Sequence, residues 1–213
     1  MYWHFSRWEE AKVTEQITAA LRRQVRTAQG RSGEPSAGII DSQSVKGTDT
    51  VGRPTRGYDA GKKDNGRKRF IVTDTLGLLL VVCVMAASVR DRDGARTTLL
   101  SLYLCTPVRF VFADAGFAGK LVAWAERFVA TAVHIVCKAP GQVGFAVIPR
   151  RWVAERSPAW STSHRCLARD YGRDPAVSEA MVRWAAIGQM ARRLARGRDA
   201  VRQRAWTSED IIS

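Results

Sequence analysis

Short apolar, β-prone runs recur along this chain, and helical patterns separate the later ones. Ala37 to Ile40, Phe70 to Asp74, Leu78 to Met85, Val108 to Ala113, Ala132 to Cys137 and Phe145 to Ile148 read as strands. Thr75-Leu76-Gly77 marks a hairpin between the second and third of them. Helices are expected over Tyr2 to Thr27, from an Asp91 or Asp93 cap to Leu104, over Gly119 to Phe128, and from Pro175 to Leu194. In the first, Trp3, Trp8, Val13, Ile17, Leu21 and Val25 stand roughly at helical spacing. This order of elements implies an α/β chain with a mixed sheet flanked by helices.

Besides Phe70 to Asp74, two of the strands run into an aspartate. Asp41 closes Ala37 to Ile40, and Asp114 closes Val108 to Ala113. A third acid, Glu155, lies in the cationic, helix-prone stretch Arg150-Arg151-Trp152-Val153-Ala154-Glu155-Arg156. Phosphodiester chemistry needs an activated oxygen, stabilised phosphorane-like charge and a neutralised leaving group. Two Mg²⁺ ions about 4 Å apart supply all three, and carboxylates are their natural hard ligands. Adjacent strands would bring Asp41 and Asp114 to one sheet edge, with Glu155 completing the cage from a facing helix. The competing roles are a turn or cap for each aspartate and a solvated ion pair for Glu155.

Charge supports a polyanionic partner. The 34 Lys and Arg against 20 Asp and Glu give a net +14, and each cation placed on a phosphate releases condensed counterions. The cations are spread along the chain, unlike a membrane-binding amphipathic helix, and the apolar stretch from Leu76 to Ala87 is too short to span a bilayer. Nucleic acid is therefore the expected partner, with no membrane. Cys83, Cys105, Cys137 and Cys166 show no C-x-x-C pair, and His4, His134 and His164 lack metal-ligand spacing. A reduced, cytoplasmic setting is expected.

The loop read from Gly47 to Gly66 is rich in glycine and lysine. Its Gly57-Tyr58-Asp59-Ala60-Gly61-Lys62-Lys63 string is one residue too short between glycines for a phosphate loop, and lacks the following Ser or Thr. Lys62, Lys63, Arg67, Lys68 and Arg69 are expected to grip DNA backbone instead. Arg151 is a further candidate for a strand phosphate. Asp74, Asp91 and Asp93 are adequately explained as a hairpin corner and a helix cap.

The strings IIDSQSVK, GYDAGKK-x-x-GRKR, DTLGLLL, DRDGA, FADAGFAGK and PRRWV-x-ER resemble bacterial insertion-sequence transposases of the DDE (Asp-Asp-Glu) class, of the IS-five type. The resemblance runs from about Tyr2 to Arg196. It implies an RNase H-like fold, a metal-binding triad of Asp41, Asp114 and Glu155, Mg²⁺ (or Mn²⁺) as cofactor, and cleavage of element ends followed by joining of the 3′-hydroxyl to target DNA. It also implies a homo-oligomer on DNA, nucleoid-associated in a bacterial cytoplasm. The expected organisation is a helical segment and linker over 1–34, continuing a DNA-binding region that precedes it in the family. The catalytic domain follows over 35–198 and a polar tail over 199–213. The family's preceding helices are absent, and Pro158, Ser161, Thr162 and Ser163 replace its aromatic, leucine and basic residues. Those departures make a catalytically inactive DNA-binding remnant the alternative expectation.

Overall fold

The computed structural model describes residues 2–136 and 164–197. Its centre is a six-stranded sheet of β1 (Ala37–Lys46), β2 (Gly57–Asp59), β3 (Asp64–Asp74), β4 (Leu79–Ala86), β5 (Phe110–Ala113) and β6 (Ala132–Ile135). β1 lies between β3, its antiparallel neighbour, and β5, its parallel one. β6 adds parallel to β5. β2 and β4 share the far edge of β3, both antiparallel, β4 opposite Arg67 to Thr73 and β2 opposite Asp64 to Gly66. Three antiparallel strands, then two parallel ones reached through helices, form the RNase H-like order that the resemblance implied.

Among the described residues, five helices surround the sheet: α1 (Tyr2–Glu10), α2 (Val13–Ala28), α3 (Asp91–Cys105), α4 (Lys120–Val129) and α5 (Pro175–Gly197). Because strand side chains alternate between faces, β3 supplies two cores. Phe70 and Val72 join Leu99 and Leu102 of α3 and Leu121, Ala125 and Val129 of α4. Ile71 joins Val25 of α2 and Val182, Ala186 and Met190 of α5 on the other face. At about 25 cal/mol per Å² of buried apolar surface, these two layers are the main source of stability.

The first helical region differs from its sequence reading. Lys12 adopts a left-handed conformation, with φ 54°, and splits the expected helix into α1 and α2. The break resets the helical phase, so Thr14, Thr18, Arg22, Val25 and Arg26 are the buried stripe of α2. Val13, Ile17 and Leu21 are only partly buried. Two of the buried arginines cap the hairpin: Arg22 donates to the Leu79 carbonyl, and Arg26 pairs with Asp74. The hairpin corner expected at Asp74 holds, since its Oδ1 accepts from the Leu76 and Leu78 amides. The 1–34 segment and the sheet thus share a core.

α3 spans the expected residues, but its N-cap is Arg90 with no side-chain cap bond. Its approach to the sheet requires Gly94. A Cβ there would lie 2.1 Å from Cζ and 2.2 Å from Cε2 of Phe70, which has no solvent exposure. Gly94→Ala is expected to destabilise the chain by about 1–3 kcal/mol, the usual range for overpacking. A denaturation midpoint equal to wild type would contradict this contact.

Candidate active site

The site is built where the parallel pair β1–β5 ends. Ile39 sits opposite Phe112, so Asp41 and Asp114, each two residues further on, occupy matching positions just past the end of the parallel β1–β5 ladder. Two residues along a strand restores the same face, and both follow Ile39 and Phe112, which pack together. The backbone then holds one oxygen of each carboxylate. Asp41 Oδ1 accepts from the Ser42 amide at 2.8 Å, and Asp114 Oδ1 accepts from the Gly116 amide at 2.9 Å. Asp114 also starts a one-turn 3₁₀ helix, Ala115–Phe117. The cap that competed with a ligand role is present, and it orients the carboxylate without hiding it, since Asp114 is exposed.

β1 does not stop at Asp41, as the sequence reading had it; it continues to Lys46 along β3. Asp41 is consequently only partly exposed. Burial above all, with the charges of Asp114 and Asp91 adding to it, lifts its carboxyl from 3.8 to about 6, against the opposing Ser42 amide and Lys62. This is the electrostatic state of an acid lacking a nearby cation strong enough to hold its charge.

The polar half of β1 organises a second layer behind the pair. Ser42 donates to Asp91 Oδ1 at 3.0 Å, and Ser44 donates to Asp59. Lys68 bridges the two acids, 3.1 Å from Asp91 Oδ1 and 3.2 Å from Asp59 Oδ2. The Ser44 hydrogen bond, followed by smaller contributions from the Lys62 amide and Lys68, holds Asp59 down at about 2 despite its partial burial. Asp91, set aside as a cap in the sequence reading, is therefore part of the frame that fixes β1 beside Asp41.

The cationic cluster divides. Lys62 and Lys63 are exposed at the tip of the β2–β3 hairpin, where Asp59 Oδ1 accepts from the Gly61 and Lys62 amides. Arg67, Lys68 and Arg69 are buried inside β3, with exposures of 0%, 7% and 1%. A surface grip on DNA by these three is therefore corrected. Alternation sends Lys68 toward Asp91 and Asp59, and Arg67 and Arg69 to the opposite face. There Arg67 reaches Asp170 Oδ1 at 3.2 Å, the Gly172 carbonyl at 2.8 Å and Ser178 at 3.0 Å. Arg69 donates to the Leu167 carbonyl at 2.7 Å. Asp170 was missed in the sequence; its apolar-poor surroundings give no periodic signal.

Glu155 and Arg151 lie outside the described residues, as do the strand expected at Phe145 to Ile148 and Pro158. Among the described residues, no group of three or more His, Cys, Asp or Glu side chains is arranged to hold a metal ion. No helix among them is long and apolar enough to cross a membrane. Trp124 is partly buried, stacked 6.0 Å from Phe128 and packed against the core. His134 stands exposed beside Phe110 and Phe112, with no metal partner geometry among the described residues.

The strand order, with Asp41 and Asp114 at matching positions past the β1–β5 ladder, defines an RNase H-like α/β domain. The sequence matches the family described as Transposase DDE domain over residues 32–188. That match covers well over half of the chain, and the chain belongs to this family. A solved structure, the catalytic domain of Mos1 mariner transposase, aligns over 86% of this chain and 91% of that one, at 9% identity and a TM-score of 0.39. No curated protein matches the sequence significantly.

Proposed function

We propose that this chain cuts DNA and joins the freed 3′-hydroxyl to a target, as a transposase of the IS-five type, with Asp41, Asp114 and Glu155 as its acidic triad. The observation that carries the reading is the matched placement of Asp41 and Asp114 on neighbouring parallel strands. The donors fit a hard divalent cation: two carboxylates, each with one oxygen fixed by a backbone amide, and one of them raised to about 6 chiefly by burial. Mg²⁺ or Mn²⁺ held there supplies Lewis-acid stabilisation of the charge that develops on the phosphate.

The protein's own residues supply orientation. The Ser42 and Gly116 amides fix the two carboxylates, and Lys68 with Asp91 and Ser42 holds β1 in place. Lys62, exposed and close enough to bias Asp41, and Lys63 beside it would meet strand phosphates at the hairpin tip. Arg151 is assigned a neighbouring phosphate on the family resemblance. Double-stranded DNA and a second copy of the chain assembled on it are the proposed partners.

The test is nicking and strand transfer on DNA carrying the element's inverted repeats, in Mg²⁺ and Mn²⁺. Asp114→Asn keeps the acceptor for the Gly116 amide, so it should melt like wild type while losing at least roughly a thousandfold in rate, about 4 kcal/mol of barrier. An active Asp114→Asn variant would remove the assignment. Metal uptake should also depend on pH. Protons compete for Asp41, whose carboxyl titrates near 6, so calorimetric Mn²⁺ affinity should strengthen as pH rises through 6 and level off above 7. A flat profile from pH 5 to 8 would place the cation elsewhere.

A further inference from the structure

Beside the aspartates, between the first turns of α3 and α4, lies an open depression of about 540 Å³. Arg90, Arg92, Arg96 and Lys120 line it, with Asp93 as their acidic neighbour. Lys68 and Asp91 also face it, but they neutralise each other. The remaining four cations outnumber one carboxylate, and all four are exposed. Among the described residues, no ion pair engages Arg90, Arg92 or Lys120. Arg96 is partly committed, its guanidinium 5.8 Å from the centre of the Trp124 ring.

The depression borders Asp114 through Gly116. A Cβ added to Gly116, which lines it, would lie 3.1 Å from Asp114 Oδ1 and 3.6 Å from Asp91 Oδ2. On the α4 side, Arg92 reaches across to the start of the helix, where a Cβ on Gly119 would lie 3.6 Å from its Nη1. Guanidinium groups with no ion-pair partner among the described residues, gathered on a concave surface, match with their planar forks the two non-bridging oxygens of a phosphodiester. An open trough admits a continuous backbone, whereas a free nucleotide is ordinarily enclosed on most sides.

We infer that this depression binds a backbone phosphate of the DNA strand next to the one being cut, held by Arg90, Arg92 and Lys120. The inference rests on the activity proposed above and extends it to the strand's path. Phosphate contacts of this kind carry no sequence information; they set the register in which a strand crosses the carboxylates. The bound strand would run from the β2–β3 hairpin tip past Asp41 and Asp114 to the α3–α4 side.

The experiment is a salt titration of binding to a short duplex, read by fluorescence anisotropy in EDTA, so that no cation at the aspartates contributes. Arg92→Ala combined with Lys120→Ala removes two exposed side chains and should leave the melting temperature unchanged. The slope of log affinity against log salt should become shallower by about 2, with affinity at low salt reduced on the order of tenfold to a hundredfold. The same charge removed at Arg23 and Arg31, at the end of α2 on the opposite face of the sheet, should change the slope by much less. Equal slopes for the two double variants, or no change from wild type in the first, would overturn the inference. Mg²⁺-dependent nicking by the wild-type chain is measured in parallel. A pocket effect without nicking would sink the proposed activity alone, and nicking without a pocket effect would sink only this strand path.

Discussion

Asp41→Asn should melt higher than the wild-type chain in the absence of divalent metal, while losing metal-dependent cleavage. The folded carboxyl titrates near 6 against 3.8 for an ordinary aspartate, so the native state binds this proton more tightly than the unfolded chain does. The contribution to stability is fully present below about pH 4 and is lost as pH rises through 6. Above pH 7 the charged side chain costs the fold about 2–3 kcal/mol. Asparagine keeps the acceptor for the Ser42 amide and never ionises. For a chain of this size the gain corresponds to roughly 5–10 °C in Tm. The sign of the pH effect is specific: the difference in Tm should be largest at pH 7–8 and should vanish near pH 4. Melting curves in EDTA across that range decide it, and a variant less stable than wild type at pH 8 would show that Asp41 is a structural acid. Stability gained where function is lost is the expected trade at a site whose charge serves a ligand.

The second large effect concerns Arg67. Its guanidinium is fully buried, donating to Asp170, Ser178, Thr55 and the carbonyls of Gly172 and Arg173. Removing it leaves the Asp170 carboxylate, itself 1% exposed, without its cation. Breaking a buried pair from one side typically costs 3–5 kcal/mol, because the remaining charge is uncompensated. Arg67→Ala should therefore lose about that much in urea denaturation. The salt slope of DNA binding, measured on whatever fraction stays folded, should not move. A stable Arg67→Ala chain with weakened DNA binding would restore the surface role that the sequence suggested. Asp170→Asn should be milder, since an amide oxygen still accepts from Arg67, Ser178 and Gly172.

These two residues mark what the sequence makes legible. Asp41 and Asp114 stand out because each follows an apolar run, and apolar runs are strands wherever a sheet is buried on both faces. The hairpin at Thr75 to Gly77 and the helices over Asp91–Cys105, Lys120–Val129 and Pro175–Gly197 are readable from turn residues and helical period. The long strand β3 is hidden because its first half is written in charged residues. Arginine and lysine lay their aliphatic stems along the sheet and carry their charged ends to partners distant in the chain, so a buried strand imitates a solvated loop. Period-two alternation is present through Arg67, Arg69, Ile71 and Thr73, opposite Lys68, Phe70 and Val72, and it was the available clue. The partners of those cations, Asp170 and the Leu167 carbonyl, lie about a hundred positions away and no local pattern announces them. The split of the first helix at Lys12 was equally silent, since a lysine in a left-handed conformation carries no sequence signature.

The β1–β5 ladder is short, with three register positions, and it joins segments far apart in the chain, whereas β1, β3 and β4 are close neighbours. During synthesis the antiparallel strands leave the ribosome first, with one aspartate already present and its counterpart not yet made. A nascent or prematurely terminated polypeptide ending before β5 thus holds half of the acidic pair and none of the parallel edge. The topology itself withholds the paired aspartates from an unfinished product.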